Sequence, residues 1–123
     1  MKTSSSLIKF DNGIDLECGV RLDSFELMVE TYGELNEDKS NGILVCHAFS
    51  GNHHAAGVSE DKKDIGWWDN IIGPDKAVDT NKYFVVCSNN LGGCSGSSGP
   101  LSTNPVSKKP YGKDFPSVSV VDW

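Results

Sequence analysis

The chain has 123 residues, 37% hydrophobic and 23% charged, so it has material for one domain with one core and lacks the composition of a disordered chain. A formal charge of −6 speaks against nucleic acid as a partner, because phosphate binding draws on a basic surface. No apolar run approaches the roughly 20 residues that span a bilayer, and the polar N-terminus has no apolar leader core, so a cytoplasmic protein with no membrane contact is expected.

In chain order, residues 1–13 are polar and predict a flexible N-terminus, with the structured domain running over 14–123. Phe25, Leu27 and Val29 alternate with Glu26 and Glu30, the period of a half-buried strand, and the spacing predicts that 14–22 pairs with it as an antiparallel hairpin. Ile43-Leu44-Val45-Cys46 and Tyr83-Phe84-Val85-Val86-Cys87 are continuous apolar runs, the pattern of strands buried on both faces in a parallel sheet. Between them, Gly66-Trp67-Trp68 through Gly73-Pro74 predicts a helical turn or two closed by the glycine and proline. Val118-Ser119-Val120-Val121 is a weaker strand candidate. The fold class is therefore α/β, an antiparallel hairpin leading into a mostly parallel sheet, with little helix to cover it.

The chemistry concentrates where the first apolar run ends. Leu44-Val45-Cys46 runs into His47-Ala48-Phe49-Ser50-Gly51, whose small residues allow a tight turn at the carboxyl edge of the sheet, where ligands of open α/β sheets bind. A backbone N–H at Phe49 is placed there to meet a developing oxyanion. Cys46 and His47 are neighbours on a strand end and point to opposite faces, so they do not serve each other as nucleophile and base; they read as a buried core thiol and a structural histidine. His53 and His54 read as loop residues, their spacing matches no zinc signature, and no metal is expected. The four cysteines, Cys18, Cys46, Cys87 and Cys94, are expected as thiols. Gly92-Gly93-Cys94-Ser95-Gly96 spells a nucleophile-elbow pattern with cysteine, but no strand leads directly into it and no helix follows. Trp67, Trp68 and Tyr111 read as packing residues.

Several blocks taken together resemble the homoserine O-acetyltransferase family of the α/β-hydrolase superfamily. They are Glu30-Thr31-Tyr32-Gly33-Glu34-Leu35-Asn36, His47-Ala48-Phe49-Ser50-Gly51, Gly66-Trp67-Trp68 with Ile72-Gly73-Pro74, and Asp79-Thr80 with Tyr83-Phe84-Val85. Asn89-Asn90-Leu91-Gly92-Gly93-Cys94, Gly96-Ser97-Ser98-Gly99-Pro100 and Tyr111-Gly112-Lys113-Asp114-Phe115-Pro116 complete the set. The resemblance implies acyl transfer from acetyl-CoA to L-homoserine, in methionine biosynthesis, by a homodimeric enzyme with no bound cofactor. It assigns Phe49 one of two oxyanion-hole N–H groups, and implies a serine nucleophile with an aspartate-supported histidine. None of that triad matches a position here, and Ser97, His53 and Asp114 fall on other family positions. Residues 14–123 then correspond to a partial α/β-hydrolase domain that stops before the nucleophile elbow, inactive alone. A homoserine O-succinyltransferase, a serine O-acyltransferase, or a noncatalytic module completed by another chain stay open as alternatives, as does a cysteine hydrolase using Cys94.

Overall fold

The computed structural model of the chain describes residues 1–59 and 63–123. Among the described residues the strands follow in the order β1 (Thr3–Phe10), β2 (Ile14–Asp15), β3 (Arg21–Leu22), β4 (Phe25–Tyr32), β5 (Gly42–Val45), β6 (Ile72–Gly73), β7 (Val78–Asp79) and β8 (Phe84–Ser88), with a 3-10 turn at Gly112–Asp114. The main sheet has the order β1-β4-β8-β5, and β2-β3 and β6-β7 form two small sheets. Among the described residues no helix is long and apolar enough to cross a membrane.

Two compact units share the chain: Met1–Ser6 with Val29–Ser88, and Leu7–Met28 with Asn89–Trp123. In the first, β8 runs parallel to β5, with Ile43 beside Val85 and Val45 beside Cys87. It runs antiparallel to β4, with Glu30 opposite Cys87 and Tyr32 opposite Val85. The sheet is therefore mixed rather than mostly parallel, and its parallel step joins the two apolar runs. Because partners across a sheet share a face, this register puts Glu30, Tyr32, Ile43, Val45, Val85 and Cys87 on one side. Tyr32, Val45, Val85 and Cys87 there build the core with Ala55, Ala56 and Ile72. Burial of an aliphatic side chain such as Val85 or Ile72 contributes about 1.5–3 kcal/mol each. The other face is open on β5: Leu44 is 69% exposed, because β5 ends the strand order and no described element covers it.

In the second unit Leu16, Leu22 and Leu91 form a smaller core, against which Ile14, Phe25, Leu27, Phe115 and Val118 pack. The hairpin over 14–22 closes on itself, Ile14 opposite Leu22, and does not pair with β4. The glycine-serine loop after β8 instead serves β4 as a substitute strand. Ser98 N–H donates to Glu26 O at 2.8 Å, while Ser98 Oγ accepts Glu26 N–H at 2.8 Å and Ser97 Oγ accepts Met28 N–H at 2.9 Å. Gly96 sits at φ +106°, and a Cβ there would approach the Met28 side chain to 3.0 Å, so the loop needs glycine to lie this close.

Three expectations are revised. Residues 3–10, read as a flexible lead-in, form a strand whose every side chain is exposed. Its serine-rich sequence hides the periodicity, and what orders it is pairing to β4, with Gly33 N–H donating to Lys2 O and Phe10 stacked on Phe25 at 4.8 Å. The stretch after Gly66 makes one hydrogen-bonded turn, Ile72 N–H to Trp68 O, and passes straight into β6. Residues 118–121 form no strand, because the Asp122 carboxylate gathers the N–H groups of Ser119 and Glu17, at 2.7 and 2.8 Å, into a turn.

Candidate functional site

The site grows from the carboxyl end of β5, in the first unit. Alternation along the strand turns Val45 and His47 inward and leaves Cys46 exposed, so Cys46 is not the core thiol expected from sequence. His47 is buried, and its Nδ1–H donates to Ala48 O at 2.7 Å, since a carbonyl only accepts. Gly51 N–H donates to the same Ala48 O at 2.8 Å and closes the turn. Phe49 is 89% exposed.

The turn continues into a segment tied from four directions. Asn52 accepts the Trp67 indole N–H on its carbonyl at 2.9 Å and the His54 N–H on its side chain at 2.9 Å. The buried Tyr32 hydroxyl accepts the N–H groups of Ala55 and Ala56, at 2.7 and 3.1 Å, and donates to His53 O at 3.3 Å. That uses all its capacity, two acceptor lone pairs and one donor. Glu30, on the same strand face two residues earlier, faces His54 Nδ1 with Oε2 at 3.0 Å and Oε1 at 3.3 Å. Asp69 then takes the Gly57 N–H at 2.8 Å, which holds its carboxyl below the ordinary aspartate range, with Lys76 helping. Gly66 packs so close to Ala56 that a Cβ would come within 2.2 Å of its nitrogen, which is the requirement behind the glycine of Gly66-Trp67-Trp68.

A cavity of about 670 Å3 opens beside this segment, lined by Glu30, Asn52, His53, His54 and Trp67 among others. Burial, with the Glu30 charge nearby, drives the Tyr32 phenol well above its ordinary value, so it works as a neutral hydrogen-bonding group. The Cys87 thiol is pushed up to about 12 by burial, reinforced by Cys46 and Glu30, which keeps it from acting as a nucleophile near neutral pH. Burial also lowers His53 against the opposing pull of Glu30. His53 Nδ1 and His54 Nε2 are buried with no hydrogen-bond partner among the described residues.

Sequence reading found the turn at 47–51 but missed Glu30, Tyr32 and the pairing of His54. Glu30 was assigned to the polar face of β4, and the available signal was a carboxylate and a phenol two residues apart, hence on one face. Trp67 and Trp68 stack at 5.5 Å and stay about 40% exposed, so they are not core. Among the described residues no group of three or more histidine, cysteine or acidic side chains is arranged to hold a metal. The second unit contains no histidine. Its Cys94 is exposed, and Ser97 is spent on Asn89 O at 2.5 Å and Met28 N–H. Tyr111 meets Phe115 edge-on at 5.3 Å, and Asp114 is exposed in the 3-10 turn.

No family model matches the chain. Individual relatives do. It is 59% identical over 121 residues to a homoserine O-succinyltransferase of Marinobacter nauticus, covering 98% of this chain and 32% of that protein. A homoserine O-succinyltransferase of Hahella chejuensis is 62% identical over 117 residues, covering 94% and 30%. In structure, a homoserine O-acetyltransferase of Bacillus anthracis superposes with a TM-score of 0.87 at 37% identity, over 99% of this chain and 34% of the other. Over nearly its whole length the chain is thus similar to a part of homoserine O-acyltransferases. It spans about a third of the length of the curated relatives it matches. Esterase E22 superposes with a TM-score of 0.86 at 37% identity, over 98% and 34%, so acyltransferases and esterases share this α/β-hydrolase architecture.

Proposed function

We propose that the chain carries the oxyanion-binding side of an active site that transfers an acyl group to the hydroxyl of L-homoserine, with succinyl-CoA favoured over acetyl-CoA as donor. The observation that carries this reading is the 59% identity to a homoserine O-succinyltransferase across 98% of the chain. The donor expected from the family blocks, acetyl-CoA, rests on the more distant 37% likeness.

The chemistry is a double displacement. A serine attacks the thioester carbonyl, its proton passes to a histidine, and the tetrahedral oxyanion collapses with expulsion of the CoA thiol. The homoserine hydroxyl then attacks the acyl-serine, and the O-acyl product leaves. Both tetrahedral intermediates bear the same oxyanion, and the backbone N–H of Phe49 is the donor this chain offers it; removing one such donor costs an acyltransfer enzyme about 100- to 1000-fold in kcat. The serine, histidine and aspartate are not supplied by these 123 residues, which contain no G-x-S-x-G. Substrates of this kind support reading the reaction as cytoplasmic.

The test is CoA release by the full-length protein with L-homoserine and each donor. Succinyl-CoA should exceed acetyl-CoA at least tenfold in kcat/KM. The reverse order returns the assignment to an acetyltransferase, and turnover with water alone as acceptor replaces it with an esterase.

A further inference from the structure

The segment that follows the oxyanion turn is held by side chains of one strand, and this arrangement points past the backbone of Phe49. Tyr32 and Glu30 stand on the same face of β4, both buried. Between them they tie four consecutive residues: Tyr32 accepts the amides of Ala55 and Ala56 and donates to His53 O, and Glu30 binds the His54 ring. Only three residues, 50–52, separate Phe49 from the first of these ties. Asn52 is itself fixed by the Trp67 indole, and the turn is closed on its other side by the Ala48 carbonyl. A stretch this short cannot shift without breaking one of those bonds, so the clasp sets where the Phe49 N–H lies.

We propose that Tyr32, with the Glu30–His54 pair, is a positioning group for the oxyanion hole, acting through residues 52–56 rather than by contact with substrate. The inference rests on the proposed acyl-transfer reading for its purpose, but the clasp has a structural signature of its own. Catalytic hydrogen bonds are sensitive to placement, and a displacement of about 1 Å away from the chemistry costs on the order of 100-fold in rate. A phenol donates and accepts at one point. Phenylalanine keeps the ring packing, takes from the Ala56 amide its acceptor and leaves the Ala55 amide with the His53 carbonyl alone.

The experiment uses the full-length protein and two variants, Tyr32→Phe and the isosteric Glu30→Gln. Active sites are titrated first, so that any misfolded fraction is discounted. Two readouts follow, steady-state kinetics with succinyl-CoA and homoserine, and hydrogen exchange by mass spectrometry. The expected result is a kcat per titrated site lowered about 10- to 100-fold with KM within twofold, because the oxyanion is absent from the bound ground state and develops only in the transition state leading to the tetrahedral intermediate. Peptides spanning 47–57 should exchange faster, and those spanning β8 should not change. A role confined to stability would lower the titratable fraction and leave kcat per site unchanged; that result overturns the inference while the acyl-transfer reading stands. If the parent enzyme acylates no homoserine, the functional reading falls separately, and unchanged exchange over 47–57 then disposes of the clasp as well.

Discussion

Tyr32 and His53 show how burial sets the chemistry of single residues at this site. Tyr32 is fully buried yet keeps three hydrogen bonds, so its hydroxyl costs little to desolvate. His53 is different: burial lowers it from the ordinary 6.5, and its Nδ1 has no partner among the described residues. The neutral ring is the form the folded state prefers. The unfolded chain therefore binds the extra proton first, and the stability tied to His53 is full above about pH 6.5 and lost as pH falls through the lower folded value. The His53→Gln variant should lose less stability than the parent between pH 7.5 and 5, read from urea midpoints at the two pH values. An equal or steeper loss would show that other groups govern the acid limb. His53 was legible as a loop residue, but its burial was not, because a His-His pair carries no periodicity that tells which ring turns inward.

At the scale of elements, the two continuous apolar runs gave strands β5 and β8 within a residue of the boundaries expected from them. Such runs need no knowledge of partners, since any strand of that composition must be buried somewhere. Pairing was another matter. Residues 25–30 were readable as a strand, but its neighbours proved to be β1, β8 and the serine loop rather than 14–22. The loop is the less expected of these, for Ser97 and Ser98 act as hydrogen-bonding rungs without strand geometry. Ser97→Ala removes the acceptor for Met28 N–H and the donor to Asn89 O together. A loss of about 1–3 kcal/mol is expected from leaving such groups unpaired. Chemical denaturation of Ser97→Ala beside Ser95→Ala measures it, the second change being near neutral; equal effects would mean the rungs carry no special weight.

For the molecule as a whole, the turn at 47–51, the clasp and the cavity lie in one unit and Cys94 in the other. Cys94 is exposed in a unit without histidine, and the only fully buried thiol, Cys87, is held in its protonated form. The 123-residue chain by itself should give no detectable CoA release from succinyl-CoA or acetyl-CoA with homoserine, assayed beside the full-length protein. Turnover that survives Cys94→Ala would mean that a nucleophile outside the family pattern operates here.

The order of residues alone carried the family resemblance, the two apolar strands and the position of the turn after β5, because these depend on local composition and on blocks read along the chain. Only the tertiary structure decided that Thr3–Phe10 is a strand, that Glu30 is buried, and that Tyr32 and Glu30 meet residues 53–56 from across the sheet. Those contacts join residues more than twenty positions apart. They exist because the β4–β8 register turns Glu30 and Tyr32 to the face that the segment after β5 covers, a relation no local pattern in the sequence encodes.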